Sequence, residues 1–282
     1  MKKGNKKSSN FILILILVIG LSLLLYPSVS DYWNSIYQSQ AIEDYTNLVS
    51  DMGEDRSKVM MGEAIRYNQE IAKHPQTWVM TDEEREKYNA TLDVSGTGVM
   101  GYIEIESINV YLPIYHSVEE SVLQTAIGHI EGSSLPVGGA SSHCVISGHR
   151  GLPSAKLFSS LDKMVEGDIF VLKVLDEEFT YEVDQIRIVE PEDISEIMIE
   201  QGKDLVTLVT CTPYGVNTHR LLVRGHRIEN LAEELVITAE AIAYDSLLVA
   251  TIVAIPVLLI LTIAVLVKTS YRKVGRSDGK KA

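Results

Sequence analysis

The chain has 282 residues, of which 46% are hydrophobic and 22% are charged, and its formal net charge is −13. This length is enough for one sizeable core with additional elements, and a strongly acidic chain is a poor match to nucleic-acid binding. The sequence contains neither a zinc-type cysteine and histidine spacing nor a glycine-rich phosphate loop, so no metal and no cofactor is implied.

The chain begins with a basic and then apolar segment. Four lysines lie among the first ten residues, residues 11–26 carry no charge, and a small-x-small pattern follows at 28–30. This pattern fits a cleavable signal peptide or an uncleaved membrane anchor. In both alternatives the chain that follows is exported.

The middle of the chain changes its periodicity once. Residues 31–90 place apolar residues three and four apart, with a break at Gly53, which predicts a helical extension. Turn residues follow at 91–98, and from about residue 98 the period becomes two. Strands are predicted at 101–116, 143–149, 168–175, 178–189, 204–211 and 219–228, with a short amphipathic helix over 118–130. Many short strands and few helices predict a mainly β fold, a barrel or a sandwich.

A second apolar run lies near the C-terminus, at residues 247–267. About 20 apolar residues span a bilayer as a helix, and Pro256 is tolerable there. The tail 268–282 is basic, and basic flanks stay in the cytoplasm. We therefore predict a cell-membrane protein with an extracellular middle, and with both termini cytoplasmic unless the N-terminal segment is cleaved.

Cys211 and Arg220 end and open two predicted strands that flank a short loop. If the strands pair, the guanidinium lies beside the thiol, where it can stabilise a thiolate or an oxyanion. His149, in the glycine-flanked sequence SGHRG, is a candidate acid–base partner. At this point a disulfide between Cys144 and Cys211 is an open alternative, because an exported chain favours disulfides.

Two motifs carry a resemblance to a known family. SGHRG at 147–151 and TLVTCTPYGVNTHRLLVRG at 207–225 resemble the sortases, in particular the class C or pilin-polymerising sortases. The resemblance covers about 98–228, and the terminal hydrophobic segments agree with it. It implies an eight-stranded β-barrel with an N-terminal helical extension.

The resemblance also implies a mechanism and partners. Cys211 is the nucleophile, His149 the general acid–base, and Arg220 positions the substrate and stabilises the oxyanion; Thr210 is predicted to contact the substrate. The substrate is a protein with an LPXTG-like sorting signal, cut between Thr and Gly, and a pilin lysine accepts the acyl group. In the sortase barrel Cys144 lies too far from Cys211 for a disulfide.

One departure from class C concerns a lid that carries Asp-Pro and an aromatic residue over the site. The corresponding stretch here is predicted at 91–98, where Asp93 supplies the acid but Val94 and Ser95 replace the other two. An ordinary turn aspartate is the alternative role for Asp93.

Other functions remain open from the sequence. They are a sortase that anchors proteins to a cell-wall precursor, a hydrolytic cysteine protease and a non-catalytic adhesin. The predicted organisation is an anchor or signal at 1–30, a helical extension with a lid at 31–97, the barrel at 98–230, a linker at 231–246, a transmembrane helix at 247–267 and a tail at 268–282.

Overall fold

The structure, a computed structural model, describes residues 6–74, 76 and 78–230. The predicted linker, transmembrane helix and basic tail, residues 231–282, lie outside the described residues. The described residues from Val29 onward form one compact unit, and the described residues up to Ser28 belong to another. The fold described below is that of the first unit together with the helix that leads into it.

The helical extension consists of three helices before the barrel. Gly53 separates the first two at the predicted break, with a φ of 80° that favours glycine. Thr81 and Glu84 form a reciprocal capping box at the start of the third. The helices in the described part are α1 (Lys6–Met52), α2 (Glu54–Ile71), α3 (Asp82–Ala90) and the single turn α4 (Glu120–Leu123).

Eight strands form a closed barrel in the order β1-β2-β3-β4-β7-β8-β6-β5. The β2–β3 and β4–β7 pairs are parallel and the others are antiparallel. The predicted eight-stranded barrel is therefore confirmed. The strands are β1 (Val99–Ile105), β2 (Val110–His116), β3 (Ile127–His129), β4 (Ser142–Ser147), β5 (Ile169–Val174), β6 (Glu177–Val189), β7 (Asp204–Thr212) and β8 (His219–Arg227).

The prediction of a helix over 118–130 was largely wrong. Only α4 is helical, and the end of the stretch is strand β3, which pairs with β2 and β4. All three β3 residues are buried. A Cβ on Gly128 would lie 2.0 Å from the Ser117 carbonyl oxygen, so the close approach of β2 and β3 requires glycine there.

The main hydrophobic core fills the barrel and includes side chains of the helical extension such as Ala64 and Tyr88, and hydrogen bonds also join the extension to the barrel. The Tyr45 hydroxyl accepts from Leu175 N at 2.7 Å and donates to Met100 O at 3.1 Å. Asn68 of α2 accepts from Leu135 N at 2.7 Å and donates to its carbonyl at 3.1 Å. These bonds satisfy buried backbone groups, which are costly to leave unpaired, and they fix α1 and α2 against the barrel.

Helix α1 has one side bonded to the barrel and one side exposed. Asn34 donates to Ser154 O at 2.8 Å and Gln38 donates to Thr125 O at 2.6 Å. The opposite side exposes Tyr32, Trp33 and Tyr37, each more than half accessible. In the described part, one helical stretch, Leu15–Met52, is long and apolar enough to cross a membrane.

Candidate active site

Cys211 and Arg220 face each other across two antiparallel strands. Their Cα atoms are direct partners in the β7–β8 register, so the two side chains lie on the same face of the sheet, roughly 5 Å apart at their bases. Both residues are half-buried. The predicted pairing of thiol and guanidinium is therefore present in the strand register.

His149 arrives at the same place from the other side of β7. Strands β4 and β7 are parallel with Ser147 opposite Val209, and Gly148 N donates to Val209 O at 3.1 Å. His149 lies two residues beyond Ser147, as Cys211 lies two residues beyond Val209. Because adjacent parallel strands end at the same edge, the fold brings His149, Cys211 and Arg220 to one end of three neighbouring strands.

The backbone that carries His149 is fixed by buried contacts. The Thr210 hydroxyl donates to Gly148 O at 2.7 Å, and Thr210 is only 1% exposed. A Cβ on Gly148 would lie 2.7 Å from Ile127 Cγ2, so glycine permits this packing. Phe158 N donates to His149 O at 3.2 Å. The contact that the structure gives Thr210 is thus internal, and its direct role in substrate binding stays a prediction.

The three side chains differ in their charge partners. His149 Nε2 lies 3.5 Å from a carboxylate oxygen of Glu120 and makes no hydrogen bond to the described residues. The Arg220 guanidinium contacts the carbonyl oxygens of Asn217 and His219, at 3.5 and 3.2 Å. Among the residues described, no carboxylate lies within 4 Å of Arg220, so its charge remains available to a reacting group.

An apolar floor lies on the same face as Cys211. Val209 is two residues before the cysteine and therefore points the same way. It forms a buried cluster with Val145, Ile197 and Leu222, and this cluster is separate from the barrel core. The face that carries the thiol thus continues into a hydrophobic surface along β4, β7 and β8.

Trp78, in the connection between α2 and α3, lies over this floor, and Gln76 of the same connection is hydrogen-bonded beside it. Trp78 packs against the apolar cluster. Gln76 donates to Gly132 O at 3.1 Å and accepts from Ile199 N at 3.0 Å, so it joins the β3–β4 and β6–β7 connections. Sequence reasoning missed both residues. A tryptophan in the turn-rich sequence HPQTW between two helices is the signal that marks them.

The stretch 91–98, where the lid was predicted, makes hydrogen bonds within itself and to β2. The Asp93 carboxylate accepts from Gly96 N at 2.9 Å and from Gly98 N at 3.1 Å. Val94 packs against the barrel core. The ring nitrogens of His116 lie 2.8 Å from Thr91 O and 2.9 Å from Gly98 O. These hydrogen bonds support the role of an ordinary turn aspartate, whereas a regulatory role for Asp93 stays a prediction.

Cys144 lies outside this constellation. Cys144 on β4 lies opposite Val206 on β7, and Val206 is five residues before Cys211 along β7. Both cysteines are free. Burial raises the pKa of the Cys144 thiol well above its ordinary value. A thiol held neutral inside the barrel is an inert core residue.

Sequence and structure comparison identify the family of this chain. The model of the sortase domain matches residues 103–228. Sortase D of Bacillus subtilis (strain 168) is 30% identical over 164 residues, which are 56% of this chain and 79% of that protein. The chain belongs to the sortase family and is a cysteine transpeptidase.

Solved structures of sortase C resemble the chain over about two thirds of its length. Sortase C1 of Streptococcus agalactiae is 54% identical, with a TM-score of 0.67, and the match covers 68% of this chain and 100% of that one. Sortase C of Streptococcus pneumoniae is 42% identical, with a TM-score of 0.61 and coverages of 68% and 98%. The resemblance to class C sortases predicted from the motifs is therefore confirmed.

Proposed function

We propose that this enzyme polymerises pilin subunits at the cell surface. It cleaves an LPXTG-like signal between Thr and Gly and joins the Thr carbonyl to a lysine amine of the next subunit. The observation that carries the proposal is the convergence of Cys211, Arg220 and His149 at one end of β4, β7 and β8. The likeness to sortase C structures supports the choice of a pilin as acceptor.

The proposed reaction has two acyl transfers. The Cys211 thiolate attacks the Thr carbonyl, and the Arg220 guanidinium stabilises the oxyanion that forms. His149 gives a proton to the departing Gly amine, which leaves a thioester on Cys211. The lysine amine then attacks the thioester, His149 takes up the proton released from nitrogen, and an isopeptide bond forms as the thiolate leaves.

We propose that the sorting signal binds on the apolar floor. The Leu and Pro of the signal are apolar, and burial of apolar surface favours binding at about 25 cal/mol per Å². Trp78 already covers this floor, and Gln76 holds the covering segment at two backbone groups. We therefore propose that Gln76 and Trp78 move away from the floor when the signal binds.

A product assay tests the proposed function. The full chain is incubated with an LPXTG peptide and a lysine-bearing pilin, and the products are identified by mass spectrometry, with Cys211→Ala as the matched control. A Thr–Lys bond that needs Cys211 supports pilin polymerisation. The enzyme would be assigned to surface-protein anchoring instead if it cleaved the peptide without joining it to the pilin, but transferred the acyl group to the amine of a cell-wall precursor.

We also propose that α1 anchors the enzyme in the membrane. Tryptophan and tyrosine favour the membrane–water interface, and Tyr32, Trp33 and Tyr37 are exposed shortly after the apolar run. The chain has only two tryptophans, so Trp78→Phe leaves Trp33 as the sole reporter. In vesicles, brominated lipids should quench its fluorescence; quenching by aqueous acrylamide alone would contradict the placement of this segment.

A further inference from the structure

A cavity of about 660 Å³ opens beside the proposed catalytic residues and is not part of the apolar floor. Three of its wall residues, Arg150, Thr212 and Leu221, each directly follow one of His149, Cys211 and Arg220 in the chain. Consecutive Cα atoms are about 3.8 Å apart, and consecutive strand side chains point to opposite faces. The cavity therefore lies next to the strand ends that carry Cys211 and Arg220, on the opposite face of β7 and β8.

The cavity contains an arginine with an unmet hydrogen-bonding group. The Arg150 side chain is 8% exposed. Its terminal nitrogens bond Asp162 and the Thr212 hydroxyl, the latter at 3.3 Å, whereas its Nε is buried without a hydrogen-bond partner among the described residues. A buried charged donor without an acceptor is costly. The Arg150 guanidinium thus keeps one donor that its two partners do not use.

A second arginine and two exposed apolar side chains also line the cavity. Arg187 lines the cavity, is exposed and has no carboxylate within 4 Å in the described part of the chain. It lies opposite Leu222 of the apolar floor in the β6–β8 register, so it stands at the border between the cavity and the floor. Ile188 and Tyr214 are each 63% exposed on the cavity wall. The opening therefore offers positive charge next to apolar surface, which fits a peptide carrying a carboxylate beside an apolar side chain.

We propose that this cavity is the docking subsite for the acceptor protein. It binds an acceptor segment that carries a carboxylate beside an apolar side chain, and so presents the nearby lysine amine to the Cys211 thioester. The subsite rests on the proposed transpeptidation. The acyl half of the donor is assigned to the apolar floor, which leaves the cavity beside the same strand ends for the acceptor.

Paired acceptor peptides test the subsite with the full-length enzyme. Each peptide carries one lysine, with either Asp–Leu or Asn–Ser placed two to five residues from it, and hydroxylamine serves as an acceptor too small to reach the cavity. With wild-type enzyme at least one Asp–Leu peptide should exceed its Asn–Ser partner about tenfold in kcat/KM. Arg187→Glu should remove this preference and lower the peptide-to-hydroxylamine ratio about tenfold.

The charge-matched control is Arg66→Glu, on the exposed surface of α2, which should keep the wild-type ratio. Equal use of Asp–Leu and Asn–Ser peptides by the wild type, or the same preference in Arg187→Glu, would overturn the subsite while leaving transpeptidation intact. Failure of the wild type to transfer even to hydroxylamine would overturn the proposed function and the subsite together.

Discussion

Arg220 is expected to act through the shape of its side chain as well as its charge. Its planar fork lies opposite Cys211 and has no carboxylate partner in the described chain. A lysine ammonium is a point charge and does not reproduce the fork. Since loss of one oxyanion donor typically costs about 10²–10³-fold in kcat, Arg220→Lys should lose activity on an LPXTG peptide to that extent.

The control for this substitution is Arg227→Lys, at the far end of the same strand, which should stay within a few-fold of wild type. Circular dichroism of both variants checks that the barrel is intact. Near-normal kcat/KM in Arg220→Lys would remove Arg220 from the reaction.

Thr210 is expected to position the histidine turn. Its buried hydroxyl donates to Gly148 O, so Thr210→Val leaves that carbonyl unpaired, at a cost of about 1–3 kcal/mol. We expect a lower midpoint in urea unfolding and a reduced kcat. Thr210→Ser keeps the hydroxyl and should restore most of both, whereas equal behaviour of the Val and Ser variants would contradict the positioning role.

At the residue scale, the sequence predicted the strand-end pair because motif and periodicity agree at Cys211 and Arg220. Trp78 and Gln76 were missed because their contacts are with Gly132, Ile199 and the β4–β7–β8 face. Those contacts join residues more than 50 positions apart, and no local period encodes them. The lid was assigned to 91–98 from the resemblance to class C sortases, with Asp93 as its acid, and that assignment stays a prediction.

At the element scale, long strands were predictable and the short one was not. The alternation in β5 and β7 is visible in the sequence, and both appear within one residue of the predicted bounds. Strand β3 has three residues, too few to show a period of two, and it is a strand only because β2 and β4 supply its hydrogen bonds. Its neighbours decide its conformation.

The connection between α2 and α3 should limit access to the floor. Gln76→Ala removes both side-chain hydrogen bonds that hold this connection over it, at roughly 1 kcal/mol each. We expect the KM for an LPXTG peptide to fall several-fold and thiol reagents to modify Cys211 faster. Gln69→Ala, on the exposed side of α2, is the matched control; an unchanged KM and labelling rate in Gln76→Ala would show that the connection does not restrict the site.

At the scale of the whole molecule, buried neutral histidines should make the barrel sensitive to acid. His129 is completely buried, accepts from the Tyr88 hydroxyl at 2.8 Å and donates to Ser134 O at 2.8 Å. Burial lowers its pKa to about 4. The unfolded chain, with an ordinary histidine pKa near 6.5, therefore binds the proton more readily than the native state.

The stability from His129 is complete above about pH 6.5 and is lost as the pH falls toward 4. The difference corresponds to about 3 kcal/mol. Burial lowers the pKa of His143 as well, so both residues act in the same direction. His129→Gln should flatten the dependence of the unfolding free energy between pH 6.5 and 4, whereas His74→Gln, at an exposed position, should not; an unchanged slope in His129→Gln would contradict this account.

The whole arrangement separates two substrates around one thiol. In our proposal the donor lies on the apolar floor and the acceptor at the cavity beside the strand ends. A hydrolase needs only the first of these surfaces, because water requires no docking subsite. We therefore expect acceptor selectivity to depend on the whole barrel end, and thioester formation to depend on the three converging residues.

The most direct test of the central claim is the intact mass of the full chain after brief exposure to an LPXTG peptide without an added amine. We expect a mass increase equal to the acyl part of the peptide, located on Cys211 by fragmentation and removed by hydroxylamine. Cys211→Ala should show no increase. An adduct at another residue, or the same mass in Cys211→Ala, would contradict the claim that Cys211, placed between His149 and Arg220, carries the acyl group.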